Sequence, residues 1–187
     1  MSAPTAQRAS IQRVRPSVLH GRYPAKAVIG RPVEIRADIV GDSHDVLAAV
    51  AQYKAVGDDG WEEAPLRHAG NDVWAGSFTP AMLGRHRYRV LAWVDHIGTW
   101  IRDTRTKAEA GTLEEIDLAV GAKLLKRRAK ETKGEDKQRL KELAAALTDP
   151  ELDAAARADR ATSQEVVELA RRHDPRAHHV RSASFEV

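Results

Sequence analysis

Gly84-Arg85-His86-Arg87-Tyr88-Arg89-Val90-Leu91-Ala92-Trp93-Val94 is the most regular stretch of the chain. In an extended strand, Tyr88, Val90, Ala92 and Val94 share one face and Arg87 and Arg89 the other, the period-two pattern of a half-buried strand. The same alternation appears upstream, where Val33, Ile35, Ala37 and Ile39 are interleaved with Glu34, Arg36 and Asp38. Between these two stretches lie Val46–Lys54, Trp61–Leu66 and Val73–Thr79, with Trp74, Gly76 and Phe78 on one face of the last. They are separated by the turn residues Gly41-Asp42-Ser43, Gly57-Asp58-Asp59-Gly60 and Gly70-Asn71-Asp72. Short strands with regular turn signals predict an all-β, immunoglobulin-like sandwich.

The period changes after about Thr99. Leu113, Ile116, Val120 and Leu124 fall on one helical stripe, and Leu140, Leu143, Ala144 and Leu147 on another. Thr112 with Glu115 and Thr162 with Glu165 have capping-box spacing, and Asp149-Pro150-Glu151 has the chemistry of a helix start. Val166, Val167, Leu169 and Ala170 follow, and Asp174-Pro175 ends the helical pattern. The expected organisation is a disordered tail at 1–10, a sandwich over 11–108 and a small α-helical bundle over 109–176. A returning strand, cut short, occupies 177–187, so the class is α+β overall.

The bulk composition narrows the chemistry. With 187 residues, 42% hydrophobic and 30% charged, the chain has the makings of one large or two small domains. Cysteine is absent, which removes thiolate metal sites and cysteine nucleophiles and fits a cytoplasmic protein. No run approaches the ~20 apolar residues of a membrane span, and Met1–Ser10 lacks the apolar core of a signal peptide.

Thirty basic and 27 acidic residues give a net charge of only +3, with the signs interleaved. The densest cluster, Lys126-Arg127-Arg128-Ala129-Lys130, falls at a helix C-terminus, where positive charge meets the helix dipole. Nucleic acid is not an expected partner, nor is a membrane. The eight histidines include no i, i+4 pair, and His178-His179 would point to opposite faces of a strand. No phosphate loop, dinucleotide fingerprint or nucleophile elbow is present. We therefore assign no catalytic, cofactor-binding or metal-ligating residue and expect no cofactor.

Tyr23-Pro24-Ala25-Lys26-Ala27-Val28-Ile29-Gly30, Gly41-Asp42-Ser43-His44-Asp45, Gly70-Asn71-Asp72-Val73-Trp74, the strand Tyr88 to Asp95, and Thr99-Trp100 occur here in a specific order and spacing. Together they resemble the N-terminal region of the α-1,4-glucan:maltose-1-phosphate maltosyltransferases, from about Val14 to Arg181. The helical part resembles the family mainly through Leu118 to Leu125. Where the family pattern reads Thr-Trp-Arg-His, this chain has Thr99-Trp100-Ile101-Arg102. The resemblance implies a glycosyltransferase of the α-amylase superfamily that extends α-glucans with maltosyl units. Its catalytic carboxylates lie on a (β/α)₈ barrel that this segment does not contain. It also implies a homodimer, formed partly through the sandwich and helical insertion, and packing of this segment on the barrel.

Within the segment, Trp61, Trp93, Asp95 and Trp100 are the candidate contact residues, either to another domain or to a sugar, since an indole face covers the apolar side of a pyranose. A glucan-binding accessory module is the alternative function.

Overall fold

The computed structural model describes residues 8–187. The disordered tail expected at the N-terminus falls mostly outside them, but Ala9 and Ser10 already belong to the first strand. The chain forms two compact units. One combines the residues before Asp95 with Arg176–Val187, and the other is Asp95–Pro175.

The first unit holds β1 (Ala9–Arg15), β2 (Val33–Gly41), β3 (Leu47–Ala55), β4 (Glu62–His68), β5 (Val73–Phe78), β6 (His86–Val94), β7 (Val180–Arg181) and β8 (Phe185–Glu186). All pairings are antiparallel, in the order β1-β2-β5-β4-β3-β6-β7, with β8 also on β6. β4 joins the two halves of this path. Its Glu62–Leu66 stretch pairs with β3, and its Arg67 and His68 pair with Ala75 and Trp74 of β5. The sheet is thereby nearly closed around one apolar cluster.

Ile35, Ala37 and Ile39 enter that cluster from β2, Ala51 from β3, Leu66 from β4, Phe78 from β5, and Tyr88, Val90 and Ala92 from β6. The alternation that marked β2 in the sequence is the alternation of burial, and in β6 it holds from His86 to Val90, beyond which Leu91 and Trp93 on the other face are buried too. Aromatic rings line the interior. Tyr53 stacks on Phe78 at 4.4 Å, and Tyr88 stacks on Phe185 at 5.6 Å between centroids. The buried Tyr88 hydroxyl donates to the Pro16 carbonyl, which satisfies the one polar atom of that side chain. At Gly76 two backbones approach closely, since a Cβ there would sit 2.5 Å from the Pro65 carbonyl oxygen.

The second unit is helical: α1 (His96–Glu109), α2 (Glu115–Glu131), α3 (Gly134–Ala146), α4 (Ala154–Ala161) and α5 (Gln164–Arg172). Its core joins Ile97, Trp100 and Ile101 of α1 to Leu118, Ala122, Leu125 and Ala129 of α2, Leu140, Leu143 and Ala144 of α3, and Val166 and Leu169 of α5. The α+β class holds.

Several local expectations do not. Residues 96–109 are helix rather than part of the β region, because Asp95 caps a turn whose Ile97, Trp100, Ile101 and Thr104 follow helical spacing. The capping box of α2 is Glu114 with Asp117, two residues past Thr112 and Glu115. Asp149 accepts from the Glu151 amide at 2.9 Å and forms a turn, while Asp153 caps α4. Ser163, not Thr162, caps α5. On α2 the buried stripe contains Leu118 and Leu125, whereas Ile116 and Val120 are exposed.

Candidate functional site

In the β unit, Trp61 and Trp93 lie on the outward face of β3, β4 and β6. Cross-strand pairing sets Gln52 beside both Glu63 and Arg89. Gln52 donates to Glu63 at 2.9 Å and accepts from Arg89 Nε at 2.8 Å. Arg89 then lies over the Trp61 ring with its guanidinium carbon 4.1 Å from the centroid, and the Lys54 ammonium is 5.4 Å away. Arg176, from the returning segment, grips Glu63 with two bonds of 2.6 and 2.8 Å and covers the Trp93 ring at 4.9 Å. The hydrogen bonds from Arg176 hold the Glu63 carboxyl below its ordinary range. Trp93 is only 5% exposed although its neighbours alternate to the opposite face. Its ring is packed, as is that of Trp61, against cations.

In the helical unit, Asp95 accepts from the Gly98 amide at 2.8 Å and caps α1. Burial raises its carboxyl pKa, with Asp174 adding to the effect and the Gly98 bond and Arg128 opposing it. Arg128 is itself buried. It donates to the His173 carbonyl and pairs with Asp174 at 3.5 Å, so the basic cluster of α2 contains one internal anchor among exposed cations.

Trp100 is 6% exposed and donates from Nε1 to the Asp117 carbonyl at 2.9 Å. Its six-membered ring lies directly on Gly121 of α2, where a Cβ would be 1.8 Å from Cζ2. This glycine was visible in the sequence as an unusual residue inside a helical pattern, the signal of close approach, but its partner was not.

Trp61 and Trp93 lie in one unit, and Asp95 and Trp100 in the other. His178 and His179 sit in a turn before β7, with His178 at φ 58°, rather than on a strand. Among the described residues, no group of three or more His, Asp or Glu is placed to hold a metal ion. Among them, too, no helix is long and apolar enough to cross a membrane.

Residues 7–187 match the family model described as alpha-1,4-glucan:maltose-1-phosphate maltosyltransferase, domain N/S. The chain belongs to that family.

Relatives carrying the maltosyltransferase name agree. The chain is 32% identical over 183 residues to the alpha-1,4-glucan:maltose-1-phosphate maltosyltransferase of Salinibacter ruber, covering 96% of this chain and 27% of the relative. It is 37% identical over 130 residues to that of Chlorobaculum tepidum, covering 70% and 19%. With the Cereibacter sphaeroides protein it shares 32% over 169 residues, covering 90% and 28%. The chain thus spans between a fifth and just over a quarter of the length of these maltosyltransferases.

Proposed function

We propose that this N/S segment is a non-catalytic scaffold within a maltosyltransferase that extends α-1,4-glucans with maltosyl units from maltose 1-phosphate. The observation that carries this reading is the family match over residues 7–187 in relatives several times as long. The chemistry then belongs to a catalytic barrel elsewhere in the whole enzyme, on which this segment packs, and the enzyme works in the cytoplasm as a homodimer.

In this reading the β unit is an immunoglobulin-like sandwich and Asp95–Pro175 an insertion within it. Support comes from the two halves of the sheet, joined at β4, whose inward faces meet in one cluster. Trp61, Trp93, Asp95 and Trp100 serve as internal or interdomain contacts. The cations over Trp61 and Trp93, and Gly121 beneath Trp100, favour packing over sugar stacking.

The test joins this chain to the remaining residues of the Salinibacter relative and measures phosphate release from maltose 1-phosphate with a maltooligosaccharide acceptor. The chimera should turn over and the isolated chain should not. Turnover by the isolated chain would refute the scaffold role. Titration of maltooligosaccharides against tryptophan fluorescence should give no saturable change, and a saturable one would restore the glucan-binding alternative.

A further inference from the structure

Arg128 is the buried cation of the basic cluster on α2. Lys126, Arg127 and Lys130 are exposed, whereas Arg128 is 7% exposed. Burying a guanidinium is costly unless charge and hydrogen bonds are returned to it, so the groups it meets identify its task. It donates to the carbonyl of His173, the C-terminal cap of α5, where helix carbonyls lack internal partners. The same guanidinium pairs with Asp174 at 3.5 Å, and that carboxylate side chain is only 10% exposed. Asp136, in the first turn of α3, holds the residues just before. Its carboxylate accepts from Arg172 at 2.9 Å and lies 2.6 Å from His173 Nε2. The end of α5 is thus gripped from two other helices.

At the opposite end of the unit, Asp95 caps α1 and lies close enough to Arg128 and Asp174 for both charges to act on its carboxyl. The helical unit runs from Asp95 to Pro175, and Val94 and Arg176 already belong to the β unit. Arg128 therefore serves the residue by which the chain enters the helices and the residues by which it leaves them. The two ends differ in what else secures them. The entry is anchored by the buried Ile97, Trp100 and Ile101 of α1, whereas Arg171 to Pro175 contain no buried apolar residue. Polar contacts are what hold the exit, and Arg128 makes the most deeply buried of them.

We propose that Arg128 is a clasp that fixes the exit of the helical unit beside its entry, so that the spacing of the two ends is set within the unit itself. The chain contains no cysteine, so nitroxide labels at His96→Cys and Pro175→Cys, both exposed positions, report that spacing in the whole chain by double electron–electron resonance. With Arg128 in place the distance distribution should be narrow. Arg128→Met, which keeps an apolar stem to pack, should broaden it at least twofold with helical circular dichroism unchanged.

Arg128→Met combined with Asp174→Asn separates a clasp from mere neutralisation of Asp174. It removes both members of the buried pair, so the clasp predicts a broad distribution and neutralisation a narrow one. Arg128→Lys keeps the charge but lacks the planar fork that serves a carbonyl and a carboxylate together. It should broaden the distribution less than methionine does, and it decides the matter when the methionine variants do not fold. A parent-like width in any of the three would overturn the proposal, as would a distribution already broad with Arg128 in place. None of these outcomes bears on the maltosyltransferase scaffold, which turnover of the chimera tests separately.

Discussion

Gly121→Ala sets two effects of opposite sign against each other. Alanine is favoured over glycine in a helix interior by about 1 kcal/mol, so propensity alone makes the variant more stable. Against this, the new methyl would lie 1.8, 2.1 and 2.5 Å from Cζ2, Cε2 and Cη2 of Trp100. Carbon atoms need roughly 3.5 Å, so the ring has to move. Trp100 is buried and its Nε1 is bound to the Asp117 carbonyl at 2.9 Å, so movement strains the core and breaks that bond. Overpacking costs about 1–3 kcal/mol and the lost hydrogen bond about 1 kcal/mol. After the propensity gain, the variant should be less stable by about 1–3 kcal/mol. Urea unfolding followed by helical circular dichroism measures this directly. The control is the same change made on top of Trp100→Leu. With the indole gone, the methyl has room, and the alanine should then stabilise. A gain of about 1 kcal/mol from Gly121→Ala with Trp100 intact would refute the close packing of α1 on α2.

Two further predictions concern charge. Because burial raises the Asp95 pKa, its ionised form costs stability at neutral pH, and the cost is relieved as pH falls through the folded value. Asp95→Asn keeps an acceptor for the Gly98 amide and removes the charge, so at pH 7 it should match or exceed the parent in urea, whereas Asp95→Ala should lose about 1 kcal/mol. Equal losses in both would contradict the assignment. Glu63 behaves in the opposite sense. Its pKa is lowered by Arg176, so its contribution is present above the unfolded carboxylate value, about 4.3, and is lost as pH falls through the lower folded value. Glu63→Gln should flatten thermal stability against pH in that acid range, and an unchanged profile would count against the pair.

The β unit was legible because its strands keep one wet face. Ile35 and Glu34, or Val90 and Arg89, differ in hydropathy as they differ in burial, and glycine-rich turns separate most strands. α1 was hidden because it follows β6 almost without punctuation. Ile97, Trp100 and Ile101 extend the apolar run, Gly98 is a poor helix former, and Asp95 is the sole start signal. On α2 the larger residues Ile116 and Val120 outweighed Ala122 and Ala129, though small residues are what allow helices to approach. Which stripe faces inward depends on where neighbouring helices dock, and a single helix's sequence does not carry that. The surroundings of Trp93 were illegible for a related reason. Arg176 reaches it from the other side of the helical unit in sequence, by a route no local pattern encodes.

The discontinuity of the β unit has a consequence for how the protein is made. β6 is complete once Val94 has been synthesised, but the strands that pair its free edge, β7 and β8, begin only at Val180 and Phe185. At ribosomal rates of about 5–20 residues per second, residues 95–175 take roughly 4–16 s to emerge. During that interval a nascent chain carries a strand with bare backbone amides and carbonyls beside Leu91 and Trp93. The helical segment is a compact unit with its own core, and all of its residues are synthesised before β7 and β8. Translation speed through the helices thus becomes a variable of sheet assembly, and a chain halted among them would present an adhesive edge to its neighbours on the polysome.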